Sequence, residues 1–165
     1  YNIIFAWEDL NELAKVNIEA ARSKLMDILC NYQGYKKCTL ILVFDAYKVE
    51  GNQGSVQKYH NIHVVYTKEA ETADQYIEKT VHEIGRKYHV TVATSDAMEQ
   101  VIILGQGASR MSAKNLLDEI GQMKEEIREF YIEKQKKSGT YLFDSLPKEW
   151  EEFMEDVRLG RKKFE

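Results

Sequence analysis

The sequence predicts an α/β fold with a central parallel sheet and helices on both of its faces. Apolar, β-branched runs of strand length, at 40–44, 62–66 and 90–94, alternate with stretches of helical periodicity. Strand alternating with helix is the pattern of right-handed parallel crossovers. The first and third runs are followed within two residues by an aspartate, Asp45 and Asp96. The carboxyl ends of parallel strands are where open α/β sheets bind ligands.

Taken in order, residues 1–16 read as irregular around the apolar patch 3–7. From Asn17, the residues Ile18, Ala21, Leu25, Ile28, Leu29 and Tyr32 recur at three and four, one face of a helix. Gly34 is its expected stop. The run 40–44 reads as a strand buried on both faces. Residues 50–55, with Gly51 and Gly54, read as a loop. The run 62–66 is the next strand, and Thr72-x-x-Gln75 is a capping box opening a helix with Ala73, Ile77, Thr80 or Val81, and Ile84 on one face.

A third strand over 90–94 leads to a short helix over 97–104, with no fifth strand expected after Leu104. Between Ser112 and Lys136, Leu116, Ile120, Met123, Ile127 and Phe130 step by four and three. A helix of about 24 residues is about 36 Å long, more than the sheet needs. It either packs along the sheet throughout or projects its far end to a partner. Ser138-Gly139 breaks it. Pro147 then opens a last amphipathic helix carrying Trp150, Phe153, Met154 and Val157. With no repeat or linker, the chain reads as one domain, 1–165, with 112–165 as its helical C-terminal part.

Bulk properties narrow the classes. The 165 residues suffice for one core, and 44% hydrophobic with 30% charged residues is ordinary for a globular chain. A formal charge of −4 argues against coating nucleic acid by bulk electrostatics, although it allows a local basic patch. Cys30 and Cys38 lack metal-ligand or redox spacing and read as free thiols of a reducing compartment. No apolar run approaches the ~20 residues of a membrane span. With no signal peptide either, the expected location is the cytoplasm.

The acids are the chemical signal. Asp45 by itself could bond turn amides, Asp74 could complement a helix dipole, and Asp96 could cap a helix. None of these roles explains why Asp45, Glu71, Asp74 and Asp96 gather at one sheet edge if the strands are parallel. Converging carboxylates repel unless a cation neutralises them. Oxygen-only sites suit Mg²⁺ or Mn²⁺, which can activate water against a phosphodiester. Competing sites are weak. His60 and His63, near a strand entrance, point to opposite faces, and Gly105-Gln-Gly107 lacks the third glycine of a dinucleotide fingerprint.

The stretches VFDAYKVEG at 43–51, YTKEAETADQYIEK at 66–79 and VATSDAMEQVIILGQGASRMSA at 92–113 resemble the YacP-like branch of the NYN domains, among the PIN-like metal-dependent ribonucleases. The resemblance covers essentially the whole chain. It implies a PIN-like, Rossmann-like three-layer fold with long C-terminal helices. It also implies a central strand ending in Val-Asp-Gly-Tyr-Asn, whose Asp is a metal ligand; of that motif only Tyr1-Asn2 stands in this sequence.

By the same resemblance, Asp45, Asp74 and Asp96 hold a divalent metal, Mg²⁺ or Mn²⁺, and Glu71 is a second-rank ligand or water-orienting base. Asn2, Thr94 and Ser95 stand beside them. The resemblance further implies single-stranded messenger RNA as substrate, endonucleolytic cleavage and the ribosome as partner. Lys68, Arg110 and Lys114 are the cations placed to hold phosphates. Lys134, Lys136 and Lys137 could extend that surface, and Tyr35, Tyr47 and Tyr66 could stack on bases. The rival reading is a non-catalytic RNA- or ribosome-binding module on the same fold. A phosphoryl-transfer receiver domain is disfavoured by the absence of an expected fifth strand.

Overall fold

The computed structural model describes residues 1–46, 53–96 and 107–138, together with 156. The element order is α1 (Asn2–Ala6), α2 (Glu8–Val16), α3 (Ile18–Lys36), β1 (Ile41–Phe44), β2 (Ser55–Tyr59), β3 (Ile62–Tyr66), α4 (Ala73–Ile84), β4 (Thr91–Thr94), β5 (Ser109–Ser112) and α5 (Ala113–Ser138). The chain divides into two compact units, Tyr1–Met123 and Lys124–Glu165.

Residues 1–16 are helical, contrary to the irregular segment expected. Ile4, Trp7 and Leu10 are buried at successive spacings of three, and a helical repeat on either side of one extended residue puts all three inward. Trp7 is that residue, with φ −98° and ψ 119° between α1 and α2. Its indole Nε1 donates to the Ala113 carbonyl at 2.8 Å in the interior. The amino-terminal helices are thereby tied to the first turn of α5.

Helix α3 begins as the periodicity predicts, with the Asn17 side chain accepting from the Ala20 N–H. It does not stop at Gly34. It runs to Lys36 and ends on Lys37, whose φ of 55° lies in the left-handed region. Its buried Ala21, Leu25 and Leu29 join Phe44, Ile62, Val64, Leu116, Ile120 and Met123 in the main core. At the surface, the Tyr32 hydroxyl donates to Glu119 at 3.1 Å and Lys36 pairs with the same carboxylate, tying α3 to α5.

The strands form two small sheets in place of the single parallel sheet expected. One has the order β1-β3-β2, with β1 and β3 parallel and β2 antiparallel to β3. The other is the parallel pair β4-β5. Strand β1 is less buried than expected, because only Phe44 is fully covered and Ile41 is 41% exposed. Strands β2 and β5 were not expected. Ser-Val-Gln-Lys-Tyr and Ser-Arg-Met-Ser carry little apolar signal, and their backbones pair with apolar neighbours that supply the burial. A tight turn at His60-Asn61 joins β2 to β3, with His60 at φ 49°.

Helix α4 carries its capping box as predicted, with both Thr72–Gln75 hydrogen bonds formed. Its Val81 packs with Val92 and Ala108 in a second, smaller core. The repeat along α5 is buried through Leu116, Ile120 and Met123, whereas Ile127 and Phe130 are exposed. Both cysteines are free. No helix among the described residues is long and apolar enough to cross a membrane. The helices expected over 97–104 and after Pro147 lie outside the described residues.

Trp7→Phe keeps most of the apolar bulk but removes the indole donor from the Ala113 carbonyl, which keeps only its bond within α5. The expected loss is about 1 kcal/mol, read as a lower urea midpoint by far-UV circular dichroism at unchanged slope.

Candidate active site at the strand ends

The parallel registers decide which loops meet. Phe44 pairs with Tyr66, so Asp45 and Thr67 leave their strands side by side. Thr94 pairs with Ser112, which places Asp96 and the start of α5 at the corresponding end of the second sheet.

Two buried threonines organise these ends. Thr67 and Thr94, 1% and 2% exposed, are the buried polar residues among those described. The Thr67 hydroxyl accepts from the Ala46 N–H at 2.9 Å and donates to Asp45 Oδ1 across a long 3.4 Å. The Thr94 hydroxyl accepts from the Asp96 N–H at 3.1 Å and from the Asn2 amide at 3.2 Å. Ser95 donates to the Asn2 carbonyl at 3.1 Å, so α1 is stitched to the end of β4. Each aspartate loop is thus held by a hydroxyl from the apolar interior, where an unmet hydrogen bond would be costly.

The charges meet at Asp74 in the first turn of α4. Its carboxyl is pushed above the ordinary value of 3.8, first by desolvation and then by the negative charges of Asp96 and Asp45. The Asp74 side chain still meets solvent, which screens part of this repulsion. Asp74 therefore lies within electrostatic reach of both Asp45 and Asp96. Among the described residues, however, no three His, Cys, Asp or Glu side chains are grouped as a ready-made metal site.

The remaining predicted residues are distributed around this triad. Glu71 is half-buried in the turn before α4, its N–H bonded to the Lys68 carbonyl, and it is not among the charges that move Asp74. Lys68 is exposed on the same turn, and Lys114 is exposed in the first turn of α5, at the strand-end edge. Arg110 pairs with Val92 in mid-strand, away from that edge. The Asn2 amide is already engaged by Thr94. Tyr66 stacks on Phe44 at 5.5 Å, a packing contact, while Tyr35 is 41% exposed. Tyr47 lies outside the described residues.

Two residues escaped the reading of the sequence. Thr67 had a visible signal, since the apolar runs Val-Val-Tyr-Thr and Thr-Val-Ala-Thr both close on threonine. Arg22 had none. Its guanidinium lies 5.5 Å from the Tyr1 ring centre and 5.9 Å from that of Phe44, and pairs with Glu19 at 2.8 Å. A cation from α3 therefore stands behind the residue that precedes Asp45.

The fold is a mixed α/β domain that carries acids at the carboxyl ends of parallel strands. The profile of the YacP-like NYN domain matches residues 1–159, and the chain belongs to that family. Uncharacterized protein YacP of Bacillus subtilis (strain 168) is 42% identical over 130 residues, covering 77% of this chain and 75% of that protein. The crystal structure of Rae1 (YacP) from Bacillus subtilis matches with a TM-score of 0.67 at 37% identity, over 97% of this chain and 91% of that one. A mutant of the same protein matches with a TM-score of 0.69 at 35% identity, over 87% and 82%. Family membership supports a ribonuclease-type function, with RNA as substrate class and a general dependence on divalent metal.

A raised carboxyl pKa in the fold costs stability once the group ionises. In the metal-free protein Asp74 is therefore expected to contribute a loss of stability as pH rises from 3.8 through its folded-state pKa. Asp74→Asn should remove that part of the pH dependence and raise the melting temperature at neutral pH in chelator. A variant melting below the wild type there would contradict the repulsion.

Proposed function

We propose that this chain is a metal-dependent endoribonuclease cleaving messenger RNA in association with the ribosome. The observation that carries the catalytic part is the action of Asp45 and Asp96 on Asp74 at the carboxyl ends of parallel strands. On this reading β1–β3 and β4–β5 are flanks of one PIN-like three-layer fold, and residues 1–165 work as a single domain. Messenger RNA and the ribosome rest on the family resemblance alone.

Oxygen donors that repel one another fit a hard divalent cation, Mg²⁺ or Mn²⁺. Asp45, Asp74 and Asp96 would hold it, with Glu71 as a further ligand or as the base that takes a proton from the attacking water. When bound, such a cation supplies Lewis-acid polarisation and a water of lowered pKa. The protein's own groups do the positioning. Thr67 orients Asp45, Thr94 holds the Asp96 loop, and Asn2 and Ser95 fix α1 beside it. Lys68 and Lys114 offer exposed charge to phosphates near this edge, and Arg110 offers it further back along β5.

The absence of a ready-made three-ligand group among the described residues favours a second reading, a non-catalytic RNA-binding module. Calorimetric titration with Mn²⁺ and cleavage of labelled RNA, with and without ribosomes, separate the two. The nuclease reading expects Mn²⁺ uptake that is lost in Asp96→Asn, and cleavage reduced at least about 100-fold in Asp45→Asn or Asp96→Asn. Cleavage surviving in the double variant would remove the site assignment, and no Mn²⁺ uptake by the wild type would favour the binding module.

A further inference from the structure

The opposite edge of the second sheet carries a feature that the acidic site does not use. The amino ends of β4 and β5, with the turn after α4, enclose an open groove of about 290 Å³. Arg86, Lys87, Tyr88 and His89 line it, with Gly85, Val90, Gly107 and Ala108 as the remaining walls. Among the described residues, no acidic one lines it. Arg86 and Lys87 are exposed and take no part in the ion pairs formed among the described residues. The ring of Tyr88 is 66% exposed. His89 is held against β5 by a 3.2 Å hydrogen bond between its Nε2 and the Ser109 hydroxyl.

The backbone of this groove is well defined. Lys87 and Tyr88 donate their N–H groups to the Ile84 carbonyl, which coils the turn tightly after the helix. A Cβ at Gly85 would stand 2.6 Å from the Val81 carbonyl oxygen, and Gly107 has a φ of +81°. Both positions favour glycine, and the cations are displayed from a fixed turn.

We propose that this groove binds the phosphate backbone of single-stranded RNA, as a contact separate from the acidic edge. Its cations are exposed and spread along a turn, with none buried to enclose a small anion. That arrangement suits an extended polyanion. An exposed tyrosine between lysine and histidine adds a surface on which a base can stack without sequence preference. The protein carries a formal charge of −4, so a groove lined by cations without acids is a local exception and would localise the polyanion. Strand β4 lies between this groove and Asp96, and Val90 at the groove stands six residues before Asp96, about 20 Å if extended at roughly 3.3 Å per residue.

The proposal takes its ligand class from the RNA reading above, but its test needs no catalysis. Anisotropy of fluorescein-labelled single-stranded RNA is followed in chelator, with salt varied. Arg86→Ala/Lys87→Ala is expected to weaken binding at least about tenfold at low salt and to flatten the log–log salt dependence by about 1.4, two contacts at roughly 0.7 each. Tyr88→Ala should weaken binding with little change in that slope, and Arg86→Lys/Lys87→Arg should restore it. Asp45→Asn/Asp96→Asn should retain binding even where cleavage is lost, which separates failure of this groove from failure of the nuclease reading. Unchanged affinity and slope in the Ala/Ala variant, with an unaltered melting temperature, would overturn the proposal. So would wild-type protein that ignores RNA, whether or not it binds anionic lipid vesicles.

Discussion

Repulsion among carboxylates is the constraint to which the first unit's architecture answers. Asp45, Asp74 and Asp96 come from the end of one strand, the start of a helix and the end of another strand, and their charges still act on Asp74. Two buried hydroxyls fix the loops that carry two of them, Thr67 at Asp45 and Thr94 at the Asp96 backbone, while Asp74 and Asp96 remain exposed to water. Swinging either loop away would strip a hydrogen bond from a residue almost wholly removed from solvent, at a cost of about 1–3 kcal/mol per unmet group.

That arrangement depends in turn on packing at a distance. The Asn2 amide reaches Thr94 because α1 lies beside β4, and α1 is held there by the burial of Ile4 and by Trp7 reaching the Ala113 carbonyl. One indole therefore fixes the amino-terminal helices and the first turn of α5 together. The same turn presents Lys114 at the strand-end edge. Core, helix entry and site share a short chain of contacts, so a change in the core should be felt in the geometry of the acids.

The distribution of charge along the second sheet has its own logic. Its carboxyl end faces the aspartates, and its amino end opens into a groove lined by Arg86, Lys87 and His89, with no acid among the described lining residues. A formal charge of −4 averages these two edges and describes neither. For a chain of a nuclease family the division is physically sensible. Carboxylates that gather metal repel a phosphate backbone, so attraction for that backbone is better placed elsewhere on the surface.

Where the sequence was legible, the signal was local. The capping box Thr72–Gln75, the apolar face of α3, the runs that became β1, β3 and β4, and the aspartates after two of them could all be read from spacing or position alone. Polar strands could not. Ser55–Tyr59 and Ser109–Ser112 are strands because a neighbouring strand offers unpaired backbone groups, and no property of their own side chains announces that. Residues 1–16 concealed two helices because each is short and the extended Trp7 interrupts their phase. By itself, then, the sequence determined the α/β alternation, the family and the identity of the acids, since these depend on residue type and order. Only the tertiary structure decided that Asp45 and Asp96 act on Asp74 while Glu71 does not, that Thr67 supports Asp45, and that Arg110 stands back from the edge. Hydrogen bonding and Coulomb interaction fall off over a few ångströms, and the residues concerned are brought that close by strand register and core packing rather than by spacing along the chain.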